Sequence, residues 1–270
     1  MQVFDLEEIW KNILKKNQDR LSVAVAWLSL ERGFKPDCIT SGFSDLYRCD
    51  SELFHREHQN FIENRVMVGM QIVAPLRSPS SEKVKNLFFR TMYSTDKETK
   101  SRLLPNVNGW SDEDGSPRGF GLPHLIKDFP HIILCEGMAD YFAVESLLAE
   151  ETRYLAIGAS SALGLVKWAS WLAENKYRGE VTLLYQLDEK KESSSLPVGQ
   201  KCAADSLKIL KNNLIKANFF DWFTFLHELK SNIDITKIND IADVCKEAKN
   251  SSLDFLSLSE HFKNSIKNRQ

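Results

Sequence analysis

The fold turns on HIILCEGMAD, residues 131–140. Its first five residues are almost continuously apolar, which suits a parallel strand buried on both faces. Gly137 then allows a tight turn into a stretch, 138–149, with helical patterning. The alternation repeats. Residues 154–157 and 181–185 are short apolar runs, 161–174 is helical between them, and after Gly199 the residues Ala203, Leu207, Leu210 and Leu214 share one helix face. Such a series builds an α/β layer with a mainly parallel sheet flanked by helices. Residues 218–225 are expected as a fourth strand or as an aromatic loop on the core, 240–249 as a helix, and 251–270 as a C-terminal helix or tail.

In an open parallel sheet, ligands bind beyond the carboxyl ends of the strands. Glu136, one residue past the first strand, and Asp140, in the first turn of the next helix, are therefore candidate ligands. Asp188, Glu189 and Glu192 follow the third strand at the same edge. Carboxylates facing one another there repel unless a divalent cation lies between them. An all-oxygen set without thiol or imidazole selects a hard cation, Mg²⁺ or Mn²⁺. Each acid taken singly also suits an ordinary helix N-cap; Glu136-Gly137 matched by Asp188 on a second strand favours the metal reading. Gly158 opens GASSALG, whose amides and hydroxyls suit a phosphate at a helix start, while Ser160 or Ser161 equally suits a cap.

Upstream, Asp5 precedes a helical pattern of Ile9, Trp10, Ile13 and Leu14, and a second helix is expected over 21–32, stopped by Gly33 and Pro36. Residues 66–93 read as two strands about the turn RSPSSEK, and the Gly-, Pro- and Asp-rich stretch 105–123 as a linker. The division that follows is an N-terminal α+β subdomain over 1–125, an α/β domain over 126–250, and a C-terminal segment over 251–270.

With 270 residues, 43% of them hydrophobic, a disordered or repeat architecture is excluded. A net charge of −2 provides no global field towards nucleic acid or an anionic membrane. The sum conceals a basic segment. Between residues 77 and 102, Arg77, Lys83, Lys85, Arg90, Lys97, Lys100 and Arg102 stand against three acids, a local charge of +4. Phe88, Phe89 and Tyr93 interleave and suit base stacking, or alternatively the core of a solvated hairpin. Five cysteines without a CxxC pair suit a reduced, cytoplasmic setting, and no apolar run approaches the roughly 20 residues of a membrane span. Cys38, Cys49, His55 and His58 match no common zinc spacing.

ILCEGMADYFAVESL resembles the first motif of the Toprim domain, an apolar strand ending in Glu-Gly with an aspartate three residues on. LAIGASSALG resembles the Gly-Thr-Ala-Leu turn of bacterial DnaG-type primases, and LLYQLDEKK with GQKCAADSL resembles their Asp-x-Asp strand end and Gly-Arg-Lys-Ala-Ala helix. AVAWLSLERGFKPDCITSGFSDLY, QIVAPLRSPSSEKVKNLFFR and KINDIADVCKEA, with Asp240, resemble further primase segments in the same order, so the resemblance covers about residues 20–250.

The resemblance implies a Toprim-like domain preceded by a smaller α+β subdomain. It implies Mg²⁺-dependent nucleotidyl transfer that makes primers on single-stranded DNA, with Glu136 and Asp188 catalytic and Glu136, Asp140, Asp188 and Glu189 on the metal. Arg77, Lys85, Arg90, Lys100, Arg102, Gly158 and Lys201 would meet template or nucleotide. A replicative helicase or a replication protein of a mobile element is the implied partner, and no membrane is. A Toprim nuclease, or an inactive module that binds nucleic acid or a partner, shares the pattern. Four departures stand out: Lys190 at the second acid of Asp188-Glu189-Lys190, an insertion containing SSSLP, Gln71 where the family has arginine, and no zinc-ribbon segment.

Overall fold

The computed structural model of the protein describes residues 5–17, 23–66, 70–92, 101–104, 114–149, 151–187 and 197–267. Helix α1 (Leu6–Asn17) is capped by the Asp5 carboxylate, which accepts from the Glu7 and Glu8 N–H groups at 3.1 and 3.2 Å. Helix α2 (Val23–Ala26) continues as a wider turn to Glu31 and stops where Gly33 takes φ +71°. A Cβ on Gly33 would stand 2.5 Å from the Cys245 carbonyl oxygen, so glycine is needed for space as well as for conformation.

Strand β1 (Ser44–Leu46) and helix α3 (Arg56–Phe61) precede the hairpin of β2 (Gln71–Ser78) and β3 (Ser81–Thr91), and β4 (Ser101–Leu103) completes an antiparallel sheet of order β1-β2-β3-β4. Side chains alternate across the hairpin by twos. Ile72, Ala74, Leu76 and Phe88 enter one core, while Val73, Leu87 and Phe89 enter another beneath Ile9, Trp10 and Ile13 of α1.

Phe120–Gly121 form β5. The chain then runs through β6 (His131–Cys135), α4 (Met138–Leu147), β7 (Tyr154–Gly158), α5 (Ala162–Glu174), β8 (Glu180–Leu184), α6 (Val198–Asn212), β9 (Lys216–Phe219), α7 (Trp222–Leu229), α8 (Ile241–Asn250) and α9 (Phe255–Lys267). The second sheet has the order β5-β7-β6-β8-β9, with β5 antiparallel at one edge and the other four strands parallel. Helices α4, α8 and α9 cover one face, and α5 and α6 the other. The connections therefore leave β6 and β8 on opposite faces, and the switch point where a ligand crevice opens lies between their carboxyl ends.

Phe120 and Gly121, which the division at residue 125 assigns to the N-terminal part, belong to this second sheet. One core runs from Ile72, Ala74 and Phe88 of the first sheet into Phe120, Tyr141 and Phe142 of the second. The aromatic run 218–225 divides rather than forming one strand. Asp221 caps α7 by accepting from the Thr224 N–H at 3.1 Å, which ends the extended backbone after β9. No helix among the described residues is long and apolar enough to cross a membrane.

His131, at the start of β6, is buried against Tyr154 and lies 2.8 Å from the Thr182 hydroxyl. Burial lowers its pKa to about 4, and the Glu180 carboxylate opposes that shift. The unfolded chain protonates near the ordinary value of about 6.5, so it binds more protons than the native state between these limits. His131 therefore favours folding fully above pH ~6.5, and that contribution falls by up to about 3 kcal/mol as the pH drops to 4. Urea unfolding should show wild type losing stability relative to His131→Asn across this window. A constant difference would contradict the assignment.

Candidate active site

The β6 strand ends at Cys135, and Glu136 is the next residue. Gly137 is the N-cap of α4, and Asp140 at the third helical position reaches back so that its Oδ2 accepts from the Gly137 N–H at 3.2 Å. Parallel pairing sets Cys135 beside Leu184, which brings the first residues after β6 and after β8 together. There the Gln186 side-chain amide donates to the same Asp140 Oδ2 at 3.3 Å. Asp140 is completely buried, and its Oδ1 has no hydrogen-bond partner.

A third acid arrives from far along the chain. The Leu187 N–H donates to the Asn239 carbonyl at 2.6 Å, which ties the end of β8 to the start of α8. Asp240 caps α8 there, accepting from the Asp243 N–H at 2.8 Å. Burial pushes the Asp140 carboxyl well above the usual range, and Asp240 and then Glu136 push it further. Burial and Asp243 raise Asp240 to about 6, against the pull of Arg32 and Arg90.

The first sheet supplies the opposing charge. Arg90 of β3, which pairs with Ile72 of β2, is lowered to about 10 by burial and by Arg32, while Asp240 and Asp140 act the other way. Arg32 lies over the Trp27 ring at 4.7 Å. A cleft of about 470 Å³ opens between the sheets, with Phe88, Arg90, Ser101, Arg102 and Leu103 on one wall and Gly137, Met138 and Ser160 on the other.

Of the residues singled out in the sequence, Glu136 and Asp140 meet at the sheet rim, and Arg90 and Arg102 line the facing wall. Asp188, Glu189, Glu192, Lys97, Lys100 and Tyr93 lie outside the described residues. Arg77 has a different setting from the one expected. Its guanidinium donates to the Glu82 and Ser41 carbonyls, and its backbone pairs with Gly119, so it stitches the two sheets together. Gly158 is a packing position, since a Cβ there would stand 2.7 Å from Phe120 and 2.9 Å from Tyr141. Lys85 lies in electrostatic reach of Asp114, and Lys201 is exposed in the first turn of α6, next to Cys202, whose thiol is raised by burial and by Glu136. Phe88 and Phe89 are core residues, packed on Phe120 and Phe54.

Gln186 and Arg32 escape sequence reasoning, because no local pattern tells which residue after a strand will face Asp140. Asp240 is marked by the resemblance of KINDIADVCKEA to a primase segment, while its local pattern, an aspartate three residues before another acid at a helix start, specifies only a cap. The donor set of Glu136, Asp140 and Asp240 is hard oxygen, and the orphaned, buried Asp140 Oδ1 is an acceptor that a cation would satisfy, so the residues fit Mg²⁺. Among the described residues, no three His, Cys, Asp or Glu side chains already stand together in liganding geometry.

No protein-family model matches the sequence, and no curated protein matches it at the level of sequence. Solved structures do match. The zinc-binding and RNA polymerase domains of the Aquifex aeolicus primase superpose with a TM-score of 0.59 at 15% identity, covering 98% of this chain and 60% of that one. The RNA polymerase domain of Mycobacterium tuberculosis primase DnaG gives 0.54 at 14% identity, covering 97% and 85%. The primase fragment of the bacteriophage T7 primase-helicase gives 0.50 at 14%, covering 87% and 72%. The fold is thus that of primase RNA polymerase domains, and the chain spans 60% of the length of the Aquifex chain.

Proposed function

We propose that the protein is a primase-like nucleotidyl transferase of the Toprim type, acting with Mg²⁺ or Mn²⁺ on single-stranded DNA and nucleotides. The observation that carries this reading is the fully buried Asp140 at the switch point of the parallel sheet, its Oδ1 without a hydrogen-bond partner and Asp240 and Glu136 within electrostatic reach, beside an arginine-lined cleft. Glu136, Asp140 and Asp240 would hold the cation, together with Asp188. A bound Mg²⁺ supplies charge stabilisation for an α-phosphate and its leaving pyrophosphate. The Glu136 carboxylate would accept the proton of an attacking 3′-hydroxyl. Arg102 and Arg90 would attract phosphates into the cleft, whose wall residue Phe88 packs edge-on against Phe120. Counted from Gln186, the residue facing Asp140, the Asp-x-Asp spacing reads Gln186-Leu187-Asp188. Lys190 then falls outside the acid pair.

Incubation with a single-stranded template, nucleotides and Mg²⁺ tests the reading. Template-dependent dinucleotides support it; template cleavage, or binding with neither product, would establish the nuclease or the inactive module instead. The cleft makes a separate prediction. Arg102→Ala should weaken binding of single-stranded DNA and lower the slope of log affinity against log salt by about 0.7, the value for one phosphate contact on a single strand. An unchanged slope would remove Arg102 from the interface. A DNA partner agrees with the M. tuberculosis primase domain that was solved with a double-stranded DNA oligomer bearing a 6-nucleotide overhang, to which this chain is similar with a TM-score of 0.51 at 12% identity. A helicase or other replication protein remains the proposed protein partner.

A further inference from the structure

Gln186 occupies the place on the rim from which β8 faces Asp140, and it brings an amide there rather than a carboxylate. The Gly137 turn, Asp140 and Gln186 are in ordinary van der Waals reach of one another. A Cβ on Gly137 would lie 3.4 Å from Asp140 Oδ2 and 3.9 Å from the Gln186 amide nitrogen, so loop, acid and amide form one packed unit. Two donors, the Gly137 N–H and the Gln186 amide, converge on Oδ2. They fix the plane of a fully buried carboxylate and leave Oδ1 as its one unpartnered oxygen. A carboxylate on Gln186's position could not donate this bond and would add a negative charge beside Asp140.

We infer that Gln186 is a positioning residue for the cation: its amide holds Asp140 by Oδ2 so that Oδ1 is presented as a ligand, and it keeps the rim one negative charge lower than an acid in its place would. This inference rests on the metal-dependent reading above, but it concerns binding of the ion and not turnover. Hydrogen-bond partners that orient a metal ligand are worth about tenfold or more in metal affinity.

The test is titration of the full chain with Mn²⁺ alone, with free Mn²⁺ read by electron paramagnetic resonance and thermal midpoints recorded with and without the ion. Gln186→Leu should weaken Mn²⁺ binding about tenfold. Gln186→Glu should melt lower than wild type without the ion, because two carboxylates then meet, and should gain more from Mn²⁺ because it adds a ligand. Glu136→Gln separates the two levels of the argument. If it leaves Mn²⁺ binding unaltered, the metal reading of the rim fails and this inference fails with it. If binding depends on Glu136 but neither Gln186 variant alters affinity or the ion-induced thermal shift, this inference alone is overturned.

Discussion

Glu136→Gln is expected to lower template-dependent dinucleotide synthesis by at least about a hundredfold, the scale on which a group stabilising transition-state charge or transferring a proton acts. The substitution keeps the shape of the side chain and removes its charge. Glu136 is one of the carboxylates that push Asp140 upward, so its removal relieves repulsion in the cation-free protein. The thermal midpoint without Mg²⁺ should therefore hold or rise while activity collapses, the pattern of a site that sacrifices stability for function. Activity near the wild-type level would remove Glu136 from the chemistry. Lost activity with a lowered midpoint would show instead a damaged fold.

Gly158→Ala should strongly destabilise the fold. The added methyl would stand 2.7 and 3.2 Å from Phe120 and 2.9 Å from Tyr141, both completely buried and both within the core shared by the two sheets. Overpacking of this kind costs about 1–3 kcal/mol, with the upper end expected where neighbours cannot move. Urea unfolding should give about 3 kcal/mol of destabilisation, with nucleotide affinity per folded molecule unchanged. A stable variant with weakened nucleotide binding would return Gly158 to the role of a phosphate-binding turn.

Much of this arrangement was legible locally. The apolar runs at 131–135, 154–157 and 181–185 fall, to within a residue at their ends, in the parallel strands His131–Cys135, Tyr154–Gly158 and Glu180–Leu184, because strands buried on both faces need continuous apolar residues. Asp5 and Ser161 cap the helices they precede, since a short polar side chain can satisfy an orphan N–H without tertiary help. Glu136 and Asp140 were marked by position alone. The basic segment was less legible, because net charge counts Arg77 and Arg102 alike. Tertiary packing turns one onto backbone carbonyls and leaves the other on the cleft wall.

By itself the sequence determined the alternating strands and helices, and hence the rim on which the first acids stand, because periodicity and capping act over a few residues. Only the tertiary structure decided which groups share that rim. The Leu187–Asn239 hydrogen bond delivers Asp240, strand register selects Gln186 to face Asp140, and the shared core sets Arg90 against both aspartates and Arg32 against Asp240. These are contacts between residues distant in the chain. Their energies depend on burial and register, which no local pattern encodes.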